Sequence, residues 1–364
     1  MKFSVERKKI LDSVRIVQKG VSKSSQSTIL EGILFDLKNN ILTLSSTDLR
    51  VSVKTQLEVN SLEEGSYVIN STIISEILRK LDTDMIDFYI DENFTLHIKS
   101  GKFNTSFSVF HGDEFPVFPK YIEDDFVTIN SDVFFKMLKV TKSSVSQDET
   151  RLIYTGVNIK IKNNLLEAVS LDGYRISVFR TNVESDTEIN IIIPLYALNI
   201  VEKMIKEDDK IVICKSNNQA VFKIDDTILL TRIFEGEFLD YNPLVNFDGN
   251  TVVELKRKLF YNVLDRNNIL SRGNLNLVEL EIKDTTMEVI SSGEYGNTKE
   301  NFNILKNGND VEIAFNGRYL REGLELFEDD DLKIVIIDNL SPMTLLGKED
   351  NSIIHVILPV RKNG

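Results

Sequence analysis

Cysteine is almost absent from this sequence. Cys214 stands alone among 364 residues, so no intrachain disulfide can form, and its place in an apolar run predicts a buried structural thiol. Histidine is equally sparse: His97, His111 and His355 lie far apart, and none has a second ligand at metal-site spacing. No Gly-x-x-x-x-Gly-Lys-Ser/Thr loop is present, since Ser100-Gly101-Lys102 is too short, and no Gly-x-Ser-x-Gly elbow occurs. No apolar stretch approaches the roughly 20 residues that span a bilayer. Met1-Lys2-Phe3-Ser4-Val5-Glu6 runs straight into an amphipathic pattern without an apolar leader region, so the expected location is cytoplasmic. Acidic runs such as Glu328-Asp329-Asp330-Asp331 read as solvated turns, and a carboxylate pair dispersed in sequence stays open.

What the chain does contain is a repeat. Ile73, Ile74, Leu78 and Leu81 return 123 residues later as Tyr196, Ala197, Val201 and Met204, and again as Tyr319, Leu320, Leu324 and Phe327. Each set occupies i, i+1, i+5 and i+8, one face of a 3.6-period helix. The starts are Asn70-Ser71, Pro194 and Asn316-Gly317, all residues that favour helix beginnings. A second helix opens each copy: Ile10, Leu11 and Val14 are matched by Phe134, Phe135 and Leu138, then by Leu259, Phe260 and Val263.

Other segments echo at nearly the same offset, 124 or 125 residues. Thr47-Asp48-Leu49-Arg50-Val51-Ser52 corresponds to Asp172-Gly173-Tyr174-Arg175-Ile176-Ser177, read with one extra residue, and Gly112-Asp113-Glu114-Phe115-Pro116 to Gly236-Glu237-Phe238-Leu239. Between the helices lie strand-like runs such as Ile41–Ser45, Phe88–Ile90, Leu96–Ile98, Lys210–Cys214 and Leu332–Ile337. Asn-containing turns follow Lys38 and Lys162. The fold class is therefore α+β, three repeated domains of two helices on antiparallel sheets, with boundaries at 1–122, 123–248 and 249–364.

Charge is unevenly shared among these elements. The chain has 43 basic and 56 acidic side chains, a net of −13, which alone argues against nucleic-acid binding. The helical segments 5–19, 71–81, 130–142, 194–206, 252–268 and 316–327 nevertheless carry +3, +1, +2, +1, +2 and 0, a total of +9, leaving −22 for the rest. In the first helix Lys8, Arg15 and Lys19, with Asp12 among them, lie opposite Ile10, Val14 and Val17. Two readings stand: ordinary solvated helix faces, or a shared surface for a phosphate backbone that is bound without reading bases. Candidate contacts are Lys8, Arg15, Lys19, Lys23, Arg79, Lys136, Lys139, Lys142, Lys203, Lys206 and Lys258. Exposed-aromatic clusters of the single-strand-binding kind are few, so a duplex fits better than a single strand.

On these residues the chain resembles the beta subunit of bacterial DNA polymerase III, the sliding clamp, over its full length. The most specific parts are Asp172-Gly173-Tyr174-Arg175, Gly236-Glu237-Phe238-Leu239-Asp240-Tyr241, Phe315-Asn316 and Pro359-Val360-Arg361. The resemblance implies a head-to-tail homodimeric ring of six domains with the helices lining the hole. It also implies sequence-independent duplex binding and a non-catalytic role in tethering the replicative polymerase, without a cofactor. A separate loader and other replication and repair proteins would be further partners; no membrane is implied.

The resemblance also implies a pocket for short partner peptides between the second and third domains. Carried over, it comprises Tyr154, Leu171, Gly173, Tyr174, Arg175, Leu239, Leu244, Asn316, Tyr319, Leu340, Pro342, Val356, Leu358, Pro359, Val360 and Arg361. Leu171 stands where the family often has a small hydroxyl residue and Tyr174 where it often has His. Lys362-Asn363-Gly364 extends past the usual end. Phe107, Ile269 and Leu270 would form the apolar centre of the subunit interface, with Lys102 at its rim. Two rivals come from other classes: an enzyme with a dispersed carboxylate site, and a repeat-built scaffold that does not encircle DNA.

Overall fold

The computed structural model describes residues 1–22, 27–122, 126–245, 247–267, 269, 276–293 and 296–361. Lys23, Leu270 and the Lys362–Gly364 tail, all named above, lie outside the described residues. Six α-helices are present among these residues: α1 Arg7–Val17, α2 Ser71–Lys80, α3 Ser131–Lys142, α4 Leu195–Glu202, α5 Arg257–Asn267 and α6 Gly317–Leu324.

The first helix of each copy follows directly on a strand: Lys2–Glu6, Phe126–Asn130 or Thr251–Lys256. Apolar residues alternate along each strand and then switch to helical spacing, so the buried face passes from Phe3 and Val5 to Ile10 and Val14 without a break. This junction makes Ile10, Phe134 and Phe260 the equivalent residues, each fully buried. The third copy is thus one residue away from the register expected from sequence, and Leu259, the expected match to Ile10, is 41% exposed. Two adjacent apolar residues permit either register; only the packing of α5 selects Phe260.

The second helices begin at asparagine caps in the first and third copies. The Asn70 side-chain oxygen accepts from the Thr72 and Ile73 amides at 3.1 and 3.0 Å, and that of Asn316 accepts from the Arg318 amide at 3.0 Å. These bonds satisfy amides that a helix start leaves open. The turns at Asn39-Asn40 and Asn163-Asn164 have both residues at positive φ, between 50 and 64°, as two-residue hairpins require.

The described strands form four antiparallel sheets. A five-stranded sheet has the spatial order Asn60–Glu63, Lys2–Glu6, Met85–Ile90, Thr95–Ser100, Phe103–Ser108. A four-stranded sheet runs Gly296–Asn303, Thr286–Gly293, Leu277–Lys283, Val311–Asn316. Two nine-stranded sheets join neighbouring copies. In one, Val51–Glu58 of the first copy pairs with Thr227–Arg232 of the second; in the other, Arg175–Asn182 of the second pairs with Ile353–Ile357 of the third.

Because the edge strands pair in this way, compactness does not follow the repeat. One compact unit comprises Met1–Asp132 with Tyr196–Ile233, the other Val133–Leu195 with Phe234–Gly364, so the middle copy is shared between them. In the first unit α1 packs on α2, and in the second α5 packs on α6.

Candidate functional site

Two sets of side chains carry the functional expectations, and they differ in chemistry. The cationic set lies on the helices or, for Lys19, Lys203 and Lys206, just past their C-terminal ends. Lys8, Arg15, Arg79, Lys139, Lys142, Lys203, Lys206 and Lys258 are exposed, and Lys19 and Lys136 are half-buried. In the first unit the Lys19 ammonium donates to the Lys203 carbonyl, beside the side chains of Lys203 and Lys206. Burial, and then the two neighbouring ammonium groups, hold the Lys19 pKa below its ordinary value. Like charges gathered in this way favour an anion. Lys8, Arg79, Lys203, Lys206 and Lys258 have no ion-pair partner among the described residues.

Other members of the set are already engaged. Lys136 donates to Asp350 at 2.5 Å, Lys139 lies 3.3 Å from Glu328, and Arg15 lies 3.7 Å from Asp12. On α6, Arg318 and Arg321 are paired with Glu322 and with Asp265 of α5, and Glu322 and Glu325 cancel the two arginines in the formal charge of that segment.

The second set gathers in the second unit, around the turn between strands Leu165–Leu171 and Arg175–Asn182. One Asp172 oxygen accepts the amides of Tyr174 and Arg175 at 2.9 and 3.1 Å, and the other accepts from Arg175 Nε at 3.0 Å. Gly173 takes φ +92°, where a Cβ would be strained. The turn thereby presents Tyr174, 62% exposed, and turns Arg175 inward. The Arg175 guanidinium lies 4.4 Å from the Tyr319 ring centroid, Tyr174 stacks on Tyr319 at 6.0 Å, and Arg175 also donates to Glu322 at 2.5 Å. Burial alone would raise the Glu322 pKa, but the bonds from Arg318 and Arg175 outweigh it and hold this carboxylate below its usual range.

Behind the turn is an apolar wall. Leu171, Ile176, Val178, Tyr241, Ile354 and Val356 form one buried cluster, with Tyr154, Phe238, Leu244 and Val245 packed against it. Asn316 caps α6, and the Leu358 amide donates to the Tyr174 carbonyl at 2.9 Å. Tyr319, Pro342, Leu358 and Pro359 are half-buried. A groove of about 840 Å³ leads from Tyr174 and Tyr319 along α3 past Lys139 and Lys142.

Not all the expected pocket residues meet there. Leu340, Val360 and Arg361 line a separate recess of about 360 Å³ with Glu279, Glu281 and Glu312. Leu239 is exposed, whereas its neighbours Phe238 and Tyr241 pack on the wall. Ile176, Val178, Tyr241 and Ile354 are not among the pocket residues expected from sequence, although their alternation along two strands is a usable signal. Glu322 carries no such signal, because its role exists only when α6 meets the Asp172 turn.

Beneath the wall, His355 is fully buried. Its Nδ1 is 2.9 Å from Ser177 Oγ, which is 2.8 Å from Ser144 Oγ, while Nε2 has no hydrogen-bond partner among the described residues. Burial, and secondarily the charge of Arg175, push its pKa down to about 3. Its ring occupies the space a side chain at Gly323 would need, so that glycine lets α6 approach the strand.

The subunit-interface candidates fall on two sheet edges. Phe107 is half-buried on the outermost strand of the five-stranded sheet, and Lys102 is exposed in the turn that precedes that strand. Ile269 is exposed in the segment after α5, near in sequence to the four-stranded sheet whose outermost strand is Gly296–Asn303.

Comparison with known proteins bears on these sites. Residues 1–119, 128–240 and 246–361 match the N-terminal, central and C-terminal domains of the DNA polymerase III beta subunit. The chain is 28% identical to the beta sliding clamps of Staphylococcus epidermidis and Staphylococcus aureus, covering 99% of both chains in each comparison. The DNA polymerase sliding clamp of Bacillus subtilis has the same fold with a TM-score of 0.93 at 25% identity, over 100% of this chain and 99% of that one. With all three domains matched in order along nearly the whole sequence, the chain belongs to the DNA polymerase III beta subunit family, the DNA sliding clamps.

Proposed function

We propose that two copies of this chain close head to tail into a ring around duplex DNA and hold a polymerase at its template without catalysing a reaction. The observation that carries this reading is the set of cations on the helices or just past their ends, without carboxylate partners among the described residues, which recurs in all three copies: Lys8 and Arg79, then Lys203 and Lys206, then Lys258. Contacts of lysine and arginine to phosphate are interchangeable from one step of the duplex to the next, so a ring held by them slides. Tethering raises the effective concentration of the enzyme at the primer end. The domain limits in this reading are 1–122, 123–248 and 249–364. Work in the cytoplasm, opening by a separate loader and binding of other replication and repair proteins belong to the same proposal.

The Tyr174–Tyr319 shelf, with the apolar wall behind it, suits a short peptide whose apolar residues enter between Leu171, Val356 and Leu358. The guanidinium of Arg175 holds the shelf in place, and aromatic anchors of this kind concentrate binding energy. Leu171 makes the wall fully apolar where a hydroxyl would offer a hydrogen bond, which favours apolar peptide residues there.

The test is topological. Loaded onto nicked circular DNA, the protein is expected to stay bound through gel filtration and to be released once the circle is linearised. Equal retention on both forms would refute encirclement, and release from both would favour a scaffold that does not enclose DNA.

A further inference from the structure

The scaffold of the Asp172 turn is built a second time, in the first unit, with different walls. Asp48, Leu49 and Arg50 occupy the places of Asp172, Gly173 and Tyr174. One Asp48 oxygen accepts the amides of Arg50 and Val51 at 2.9 and 2.7 Å, and Leu49 holds φ +71° where Gly173 holds +92°. The sequence echo that sets Arg50 against Arg175 is therefore one residue out. Arg50 nevertheless reaches the same kind of target, its guanidinium lying 4.7 Å from the ring of Tyr196, the repeat counterpart of Tyr319.

The walls differ at equivalent cross-strand positions. In the second unit Leu171 faces Ile176, Ile176 faces Val356 and Val178 faces Ile354. In the first unit Thr47 faces Ser52, Ser52 faces Leu230 and Lys54 faces Ile228. Arg232 ends its strand at the place that Leu358 takes just after the other, and Arg50, Arg232 and Asp48 all act on the Tyr196 hydroxyl. Four sites that are apolar in one copy have become Thr47, Ser52, Lys54 and Arg232 in the other.

Basic side chains gather around Tyr196. Asp48 also acts on its hydroxyl, and the second Asp48 oxygen is already bound by Arg50 at 3.0 Å. Arg232 has no ion-pair partner among the described residues, and Lys54 sits over the Phe118 ring at 4.7 Å. Arg50 in the turn and Lys54 and Arg232 on the adjoining strands thus bring three basic residues to one part of a chain with net charge −13, where Asp48 is already bonded to Arg50. Beside them Leu49 is 62% exposed, held outward by its turn.

We propose that the face formed by Arg50, Lys54, Tyr196 and Arg232 is a second docking site, which takes an acidic segment of a partner protein carrying an apolar or aromatic residue. Carboxylates would bind Arg232 and the open edge of Arg50, and the apolar residue would rest on Leu49 and Tyr196. Guanidinium groups recognise carboxylates in two-pronged fashion, and Tyr196 offers a ring that guanidinium already covers on one side. The site is independent of the Tyr319 shelf, because no residue is common to both.

A short fluorescein-labelled peptide of alternating glutamates around one phenylalanine, and its lysine counterpart, would be titrated against the full-length protein by anisotropy. The glutamate peptide is expected to bind at low salt, to weaken as salt is added, and to bind about tenfold or more weakly to the Arg50→Glu/Arg232→Glu variant. Arg50→Gln/Arg232→Gln should give a smaller change in the same direction, with an unchanged thermal melt showing that the fold is intact. Tyr319→Ala should leave this binding untouched, so failure of the shelf and failure of this site are separable. No binding to the wild type, equal binding of the lysine peptide, or unchanged affinity in both double variants would overturn the proposal. Displacement of the peptide by a single-stranded oligonucleotide that binds more tightly would overturn it in favour of nucleic acid.

Discussion

At the scale of single residues, the second unit concentrates its electrostatics around Arg175 and His355. Arg175 is almost wholly buried yet answered by Asp172, Glu322 and the Tyr319 ring, so its charge is compensated from three directions. His355 is the opposite case, a buried group kept neutral. Its folded pKa of about 3 lies below the roughly 6.5 of an unfolded chain. The native state therefore binds fewer protons than the unfolded state between those values. Stability should fall as pH drops below about 6.5, by up to about 1.4 kcal/mol per pH unit from this group. Replacing His355→Gln should flatten that part of the curve of melting temperature against pH, whatever it does to stability at pH 8. A slope between pH 6 and 4 identical to that of wild type would remove His355 as its source.

At the scale of elements, the helices are where pattern and structure agree best and where the remaining differences teach most. The recurrence at 123 to 125 residues locates all six, because burying one stripe of a helix imposes a spacing that survives changes of side chain. The one-residue slip at Leu259 and Phe260 arises since both are apolar, and only the strand leading into α5 settles which faces inward. Charge behaves differently. Lys136 and Lys19 look alike in sequence, but Lys136 meets Asp350 across 214 positions of chain, whereas Lys19 meets Lys203 and Lys206. Changing Lys19, Lys203 and Lys206 together to glutamine should weaken retention on circular DNA. It should also reduce the slope of log affinity against log salt by roughly 0.9 for each phosphate no longer neutralised. Lys136→Gln should leave that slope unchanged, and measurement of both variants across salt concentrations would separate the two classes. The turn that carries the Tyr174–Tyr319 shelf was legible as a motif, Asp172-Gly173-Tyr174-Arg175. The split that sends Leu340, Val360 and Arg361 into another recess was not, since it depends on how the terminal segment crosses the strand containing Ala314.

At the scale of the whole molecule, edge strands decide what the chain can build. The copies are already joined where Val51–Glu58 meets Thr227–Arg232 and where Arg175–Asn182 meets Ile353–Ile357. Phe103–Ser108 and Gly296–Asn303 remain as six- and eight-residue edges at the margins of the two smaller sheets. Long edges of this kind invite pairing with another chain. Pairing one with the other across two copies would be a heterologous contact, which closes into a ring when its rotation is complete. Phe107→Asp combined with Ile269→Asp should shift the sedimenting species toward the 41.6 kDa of one chain and abolish retention on circular DNA, while the Tyr319 shelf keeps its peptide affinity. An unchanged sedimentation coefficient would place the subunit contact elsewhere.

Sequence by itself determined the threefold repeat, the α+β class, the helix faces and the excess of positive charge on them. Those properties follow from local periodicity, which a chain must obey wherever the element ends up. Tertiary structure alone decided which lysines are neutralised, which of the adjacent Leu259 and Phe260 is core, and why two copies of one turn came to hold an apolar wall and a basic one. Each of these depends on a partner brought from far along the chain, through strand pairing and helix packing that no local spacing records.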